Sequence, residues 1–192
     1  MAEQPKGPCP QSGKAALAQA RAEASRAASP WVRQWAADLP DGSRVLDVAC
    51  GNGRHLALFA ELGHAVTGVD RDIQAAEALE LPEVRLVQAD LEGQDWPLAD
   101  QRFDAVVVTN YLWRPLFPQL RAAVGAKGRM IYETFMVGHE EFGRPRNPDF
   151  LLREGELLAE FGAEWDVLGF AEGPEGEPAT SVRQRICARR TA

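Results

Sequence analysis

The chain reads as an α/β protein built on a mostly parallel sheet with one antiparallel strand, and three features predict it. Apolar strand-like runs alternate with helical segments, the signature of βαβ units. A glycine-containing turn at 49–53 joins the first run directly to an amphipathic helix. The last two runs are separated only by 171–180, whereas a parallel crossover needs a dozen or more residues, so they must pair antiparallel.

Each element has a local reason. Residues 1–28 read as a flexible tail with a helical part, polar and alanine-rich, and 29–192 as a single domain. Ser29-Pro30 is an N-cap followed by proline at the first helical position, opening a helix to about 38 whose Trp31, Val32 and Trp35 share a face. Strand one spans 44–50, and the next helix carries Leu56, Phe59 and Leu62 before Gly63 stops it. Strand two is 65–70, followed by Asp72 as cap of a helix over 73–80. Strands three and four are 84–89 and 103–109, a helix falls within 115–124, and strand five is 128–135. The charged stretch 136–148 is the longest irregular segment and therefore a functional suspect. A helix over 154–161 and strands over 164–170 and 181–188 complete the chain.

Composition excludes several classes. A chain of 192 residues, 45% hydrophobic, supports one well-buried core. A formal charge of -7 argues against a bulk nucleic-acid binder. No apolar run approaches the ~20 residues needed to span a bilayer, and the first thirty residues lack the apolar core of a signal peptide. Cys9, Cys50 and Cys187 have neither disulfide-framework nor zinc-site spacing, and His139-Glu140 lacks the second histidine of a zinc motif. A cytoplasmic protein without a metal site is the expectation.

The glycine turn carries the chemistry. In Val45-Leu46-Asp47-Val48-Ala49-Cys50-Gly51-Asn52-Gly53, Gly51 and Gly53 let the backbone take positive φ and lie against a ligand at the carboxyl edge of the sheet. A dinucleotide loop would place a small residue where Leu56 stands; neither a phosphate-binding P-loop nor a G-x-S-x-G elbow occurs. What remains is an acid before the loop, Asp47, and acids ending strands two and three, Asp70 and Asp90. Carboxylates in those places can accept hydrogen bonds from ribose hydroxyls and an adenine amino group and can offset positive charge. A nucleoside without phosphate is the implied ligand.

With these residues in register, 45–90 resembles the class I S-adenosylmethionine-dependent methyltransferases, and the likeness extends over about 40–190. The family's first motif, an acid followed by G-x-G-x-G, stands here with Ala49 in place of the first glycine. Cys50, Asn52, Arg54 and His55 look like the small tellurite-resistance and thiopurine branch. The resemblance implies a Rossmann-like seven-stranded sheet with the last strand antiparallel and helices on both faces. It implies S-adenosylmethionine as cofactor, contacted by Asp47, Ala49, Cys50, Gly51, Asn52 and Gly53, by Asp70 with Arg71 at the ribose, and by Asp90 with Leu91 at the adenine.

Cys50 reads as a packing residue, since no base is near it in sequence, Asp104 as structural, and the tryptophans as core or lid hydrophobes. Acceptor contacts are expected after strands four and five. The candidates are Asn110, Tyr111, Tyr132, His139, Arg144 and Arg146, the two arginines suiting a carboxylate or oxyanion. Asn110-Tyr111-Leu112-Trp113 lacks the Pro-Pro-aromatic run of amino-methylating nucleic-acid enzymes. The reading is a methyltransferase acting on a small-molecule acceptor. A protein or RNA methyltransferase and a non-catalytic cofactor-binding module are the alternatives.

Overall fold

The computed structural model describes residues 10–191, so the first nine residues of the expected tail, with Cys9, lie outside the described residues. The remainder of that stretch contains α1 (Pro10–Arg26). Ser25 hydrogen-bonds Glu61 and the Arg21 guanidinium donates to the Leu79 carbonyl at 2.7 Å, so α1 lies against the helix that follows the glycine turn.

Ser29 caps α2 (Pro30–Ala36) as its sequence predicts, its hydroxyl accepting from the Trp31 and Val32 amides. The chain continues through β1 (Arg44–Val48), α3 (Arg54–Glu61), β2 (Ala65–Asp70), α4 (Gln74–Glu77), β3 (Val84–Gln88) and β4 (Phe103–Thr109). It ends with α5 (Phe117–Ala123), β5 (Val124–Phe135), α6 (Glu156–Phe161), β6 (Trp165–Glu175) and β7 (Ser181–Arg190). The seven strands form one sheet in the order β3-β2-β1-β4-β5-β7-β6, and only β7 runs against the others.

Alternation along the strands sorts the core into two layers. Leu46, Val48, Val106, Val108, Met130, Tyr132 and Ile186 face Phe117, Leu120, Leu157 and Phe161 of α5 and α6. Val45, Ala105, Val107, Ile131 and Cys187 face Val32, Ala36, Leu56 and Phe59 of α2 and α3. Asp47 shares the parity of Val45, which drives a carboxyl group into the second layer.

Three elements depart most from the expected bounds, each for a physical reason. Strand β5 starts at Val124 because that residue already pairs with Phe103 before a bulge, with Lys127 at φ 58°, resets the register. Strand β6 runs on through Gly173, Pro174 and Glu175; a proline without an N–H is tolerated because β6 is the sheet's edge. Helix α4 is a single turn, although Asp72 does accept from the Gln74 amide at 3.1 Å. Asp104 accepts from the Arg44 amide at 2.7 Å, in keeping with a structural part.

Candidate active site

A cavity of about 700 Å³ opens at the carboxyl edge of the sheet, between the ends of β1, β2, β3 and β4. Ala49, Cys50, Gly51, Asn52, Asp70, Arg71, Asp90 and Leu91 line it, together with Asn110 and Tyr111. Asp47 and Gly53 are buried behind it.

The floor is a strained turn. Ala49, Gly51 and Gly53 take φ of 55°, 53° and 80°, so Ala49 holds a left-handed conformation that a side chain disfavours. The Asp70 carboxylate braces the turn, one oxygen accepting from the Gly51 amide at 2.9 Å and the other from the Asp72 amide at 3.0 Å. Asp90 accepts from the Glu92 amide at 3.0 Å and is otherwise exposed toward the cavity. Cys50 is buried, and burial followed by Asp47 and Asp70 pushes its thiol far above the usual range, which leaves it packing rather than nucleophilic.

Beneath the turn, Asp47 is 1% exposed and neither carboxyl oxygen has a hydrogen-bond partner. Burial pushes its pKa up to about 8, against the opposing pull of Arg54, so the group holds a proton at neutral pH. Its neighbour is His55, whose Nδ1 lies 4.0 Å away. The Ser29 amide donates to Nε2, which therefore carries a lone pair; the proton of the neutral ring sits on Nδ1, facing Asp47 and, at 3.4 Å, the Thr109 hydroxyl. Burial, then Arg54 and Arg33, lowers the His55 pKa to about 3 and keeps the ring neutral.

The far wall combines strands distant in sequence. Asn110 stands at φ 54°, its amide donating to the Glu133 carbonyl at 2.9 Å and its side-chain oxygen accepting from Arg183 at 2.7 Å. The Tyr111 hydroxyl is buried without a partner; burial first, then Glu92 and Asp90, raises its pKa and holds it protonated. Tyr132 is in the core, donating to the Tyr111 carbonyl at 2.9 Å, and so positions that residue from behind.

The stretch after β5 is tied down rather than open. His139 accepts from the Val182 amide at Nδ1, stacks on Phe135 with centroids 4.0 Å apart, and meets the Arg144 carbonyl through Nε2 at 3.0 Å. Both ring nitrogens are engaged. Arg144 and Arg146 are exposed, and neither they nor His139 and Tyr132 line the cavity.

Several lining residues were not among the expected site residues, although Arg54 and His55 are part of the family resemblance. Arg54, His55 and Thr109 follow recognised motifs within a few positions, and Arg54 donates weakly to Thr109 at 3.5 Å. Phe150 carried no signal at all. It reaches the cavity mouth because Arg114 clamps its segment, donating to the Asp149 and Leu151 carbonyls at 2.6 and 2.8 Å while pairing with Glu156 at 2.6 Å.

The cavity suits a nucleoside with a charged amino-acid tail: the half-buried Asp70 and exposed Asp90 line it at two strand ends, the glycine turn offers backbone, and Arg54 is a cation with no acid within 4 Å among the described residues. Residues 45–128 match the methyltransferase domain family. No curated protein matches by sequence. Among solved structures, TehB from Haemophilus influenzae is 19% identical, with a TM-score of 0.69 over 85% of this chain and 63% of that one. A TehB-like S-adenosylmethionine-dependent methyltransferase from Corynebacterium glutamicum is 22% identical, with a TM-score of 0.60 over 95% of this chain and 100% of that one. The 1,6-didemethyltoxoflavin-N1-methyltransferase of Burkholderia thailandensis, solved with its acceptor and S-adenosylhomocysteine, is 21% identical, with a TM-score of 0.60 over 100% of this chain and 94% of that one. These likenesses show a common fold, and the chain spans 63% of the length of the Haemophilus protein. The family match is confined to residues 45–128, somewhat less than half of the chain.

Proposed function

We propose that the protein transfers the methyl group of S-adenosylmethionine to a small molecule that enters beside Asn110 and Phe150. The observation that carries this reading is the division of the cavity: paired strand-end acids and the glycine turn on one side, Thr109, Asn110 and Tyr111 on the other. Asp70 takes the ribose hydroxyls, Asp90 and Leu91 the adenine with Tyr111 beside them, and Arg54 the cofactor's carboxylate. When bound, S-adenosylmethionine would supply an electrophilic methyl group for the acceptor's lone pair, with S-adenosylhomocysteine as the product released. The protein's part is to position and to exclude water. Asp70 and Tyr132 fix the two walls, and the Arg114 clamp holds Phe150 over the mouth.

A small acceptor rather than a polymer is supported by the net charge of -7 and by the Burkholderia enzyme, which binds such a molecule. Cys50 and Cys187 are free and buried, which suits a reducing cytoplasm, and no helix among the described residues is long and apolar enough to cross a membrane. Calorimetry with S-adenosylhomocysteine, NAD and ATP tests the cofactor side, with S-adenosylhomocysteine expected to bind tightest. Tritium transfer from labelled cofactor into cell extract tests the acceptor side. Label in the small-molecule fraction supports the reading, and label confined to protein or RNA refutes it.

A further inference from the structure

Beside the cavity, strand β7 carries two arginines on one face, Arg183 and Arg185, only 16% and 21% exposed. Each faces two carboxylates. Glu133 of β5, 8% exposed, lies between them at ion-pair distances of 3.6 and 3.5 Å. Glu175 makes the direct contacts, at 3.2 Å to Arg183 and 2.8 Å to Arg185. Glu175 is thus the nearest acid to both guanidinium groups and the more exposed one at 43%, while Arg183 donates its hydrogen bonds to Asn110 and to the Ser181 hydroxyl at 3.3 Å.

Glu175 is not their partner by register. It pairs with Ser181, while the residues of β6 opposite Arg183 and Arg185 are Gly173 and Ala171. Two small residues leave space above the arginine pair, and a Cβ built on Gly173, at φ 121°, would meet nothing within 4 Å. The Glu175 carboxylate and the Arg185 guanidinium nonetheless meet, although Arg185 pairs with Ala171. Burial would raise the Glu175 pKa, but hydrogen bonds from Arg185 and Ser181 with the charge of Arg183 hold it below the ordinary range, so it is an anion there. On the inner side, Arg183 donates to Asn110 on the cavity wall, and Arg54 is near enough to oppose the Arg183 charge. Arg185 lies 5.9 Å from the centre of the Trp31 ring.

We propose that Arg183 and Arg185 form an acceptor subsite for an oxyanion, a carboxylate or an inorganic oxyanion, and that Glu175 is its built-in occupant, displaced when the acceptor binds. The exchange conserves charge, one anion replacing another opposite the same guanidinium pair, and bidentate arginine geometry suits either kind of anion. Glu133 stays as the fixed counter-ion. The proposal rests on the methyltransferase reading and names its substrate class. It also moves the anion contact away from Arg144 and Arg146.

The test uses the full chain saturated with S-adenosylhomocysteine. Sodium benzoate and inorganic phosphate are titrated separately into wild type, Glu175→Gln and Glu175→Gln/Arg185→Gln, with heat as the readout. Removing the internal competitor is expected to tighten one of the two anions about tenfold, and removing Arg185 to abolish the gain. Benzoate alone marks an organic carboxylate, phosphate alone an inorganic oxyanion. In wild type, which needs no altered residue, the Arg183 and Arg185 Nε–H resonances should shift on adding the same anion. Equal affinity in wild type and Glu175→Gln, or no saturable binding to Glu175→Gln while S-adenosylhomocysteine still binds, overturns the proposal. Absence of S-adenosylhomocysteine binding would instead refute the methyltransferase reading beneath it.

Discussion

The two walls of the cavity are made differently. The wall that we assign to the cofactor is built by β1, β2 and β3 with the turns that follow them, so its residues lie in three short sequence segments, each with an apolar strand and an acid at or near its end. The opposite wall joins Asn110 to Arg183, 73 residues away, and reaches Phe150 only through an Arg114 clamp spanning 35 residues and more. Parallel βαβ units put successive strand ends on one edge, so a wall made from them can be read locally. A wall made by an antiparallel return strand cannot.

Asp47 is the first place to break that contrast, because it belongs to the local motif while its state is set by distant groups. With a folded pKa of about 8 against an ordinary carboxyl value of 3.8, the folded protein holds a proton between those values that the unfolded chain has lost. Stability contributed by this group is thus full below about pH 4 and declines as pH rises toward 8, by at most ~1.4 kcal/mol per pH unit. His55, lowered from 6.5 to about 3, acts oppositely: its contribution is present above 6.5 and lost as pH falls toward 3. The two cancel between about 4 and 6.5, leaving a decline from 6.5 to 8. Denaturant titrations across pH should show wild type losing stability relative to Asp47→Asn throughout the window from about 4 to 8. A constant difference would mean that Asp47 is ionised, and that the burial argument fails.

The second prediction separates the walls directly. Replacing Asp70 with alanine removes the expected acceptor of the ribose hydroxyls, at about 1.5–3 kcal/mol of S-adenosylhomocysteine affinity. Calorimetry should register a drop of at least about tenfold, with the fold retained by circular dichroism. The double variant Arg144→Ala/Arg146→Ala is the control: exposed and away from the cavity, it should leave that affinity unchanged. An intact affinity in Asp70→Ala would place the ligand elsewhere.

The strand pattern, the antiparallel end and the Ser29 cap were legible in the sequence because each rests on neighbours: periodicity, a short connector, a hydroxyl two residues before the amide it accepts from. Asp70 and Asp90 were legible for the same reason. Tyr132 and His139 could be picked out as polar residues near a strand end, but not as buried groups already engaged, since their partners are a carbonyl at 111 and an amide at 182. Arg183, Arg185 and Glu175 gave no signal at all. Alternating charge on a terminal strand looks like a solvated face until β5 and β6 close on either side of it.

The smallest expected effect concerns the one departure in the motif itself. Ala49 stands where the resemblance calls for glycine, yet it keeps the left-handed backbone, at φ 55°, that glycine would adopt without cost. For an L-residue that conformation costs roughly 1–2 kcal/mol, while glycine returns part of the gain as unfolded-state entropy. Ala49→Gly should therefore stabilise the protein by up to about 1 kcal/mol, read as a higher denaturation midpoint at unchanged slope. Because Asp70 already braces the turn through the Gly51 amide, the turn geometry should survive and S-adenosylhomocysteine affinity should stay within about threefold. A loss of stability would show that the alanine methyl is packed against something worth more than the strain. A stability gain coupled to weaker cofactor binding would show instead that the strain holds the turn in its binding shape, so that even the most local part of the site depends on more than its own motif.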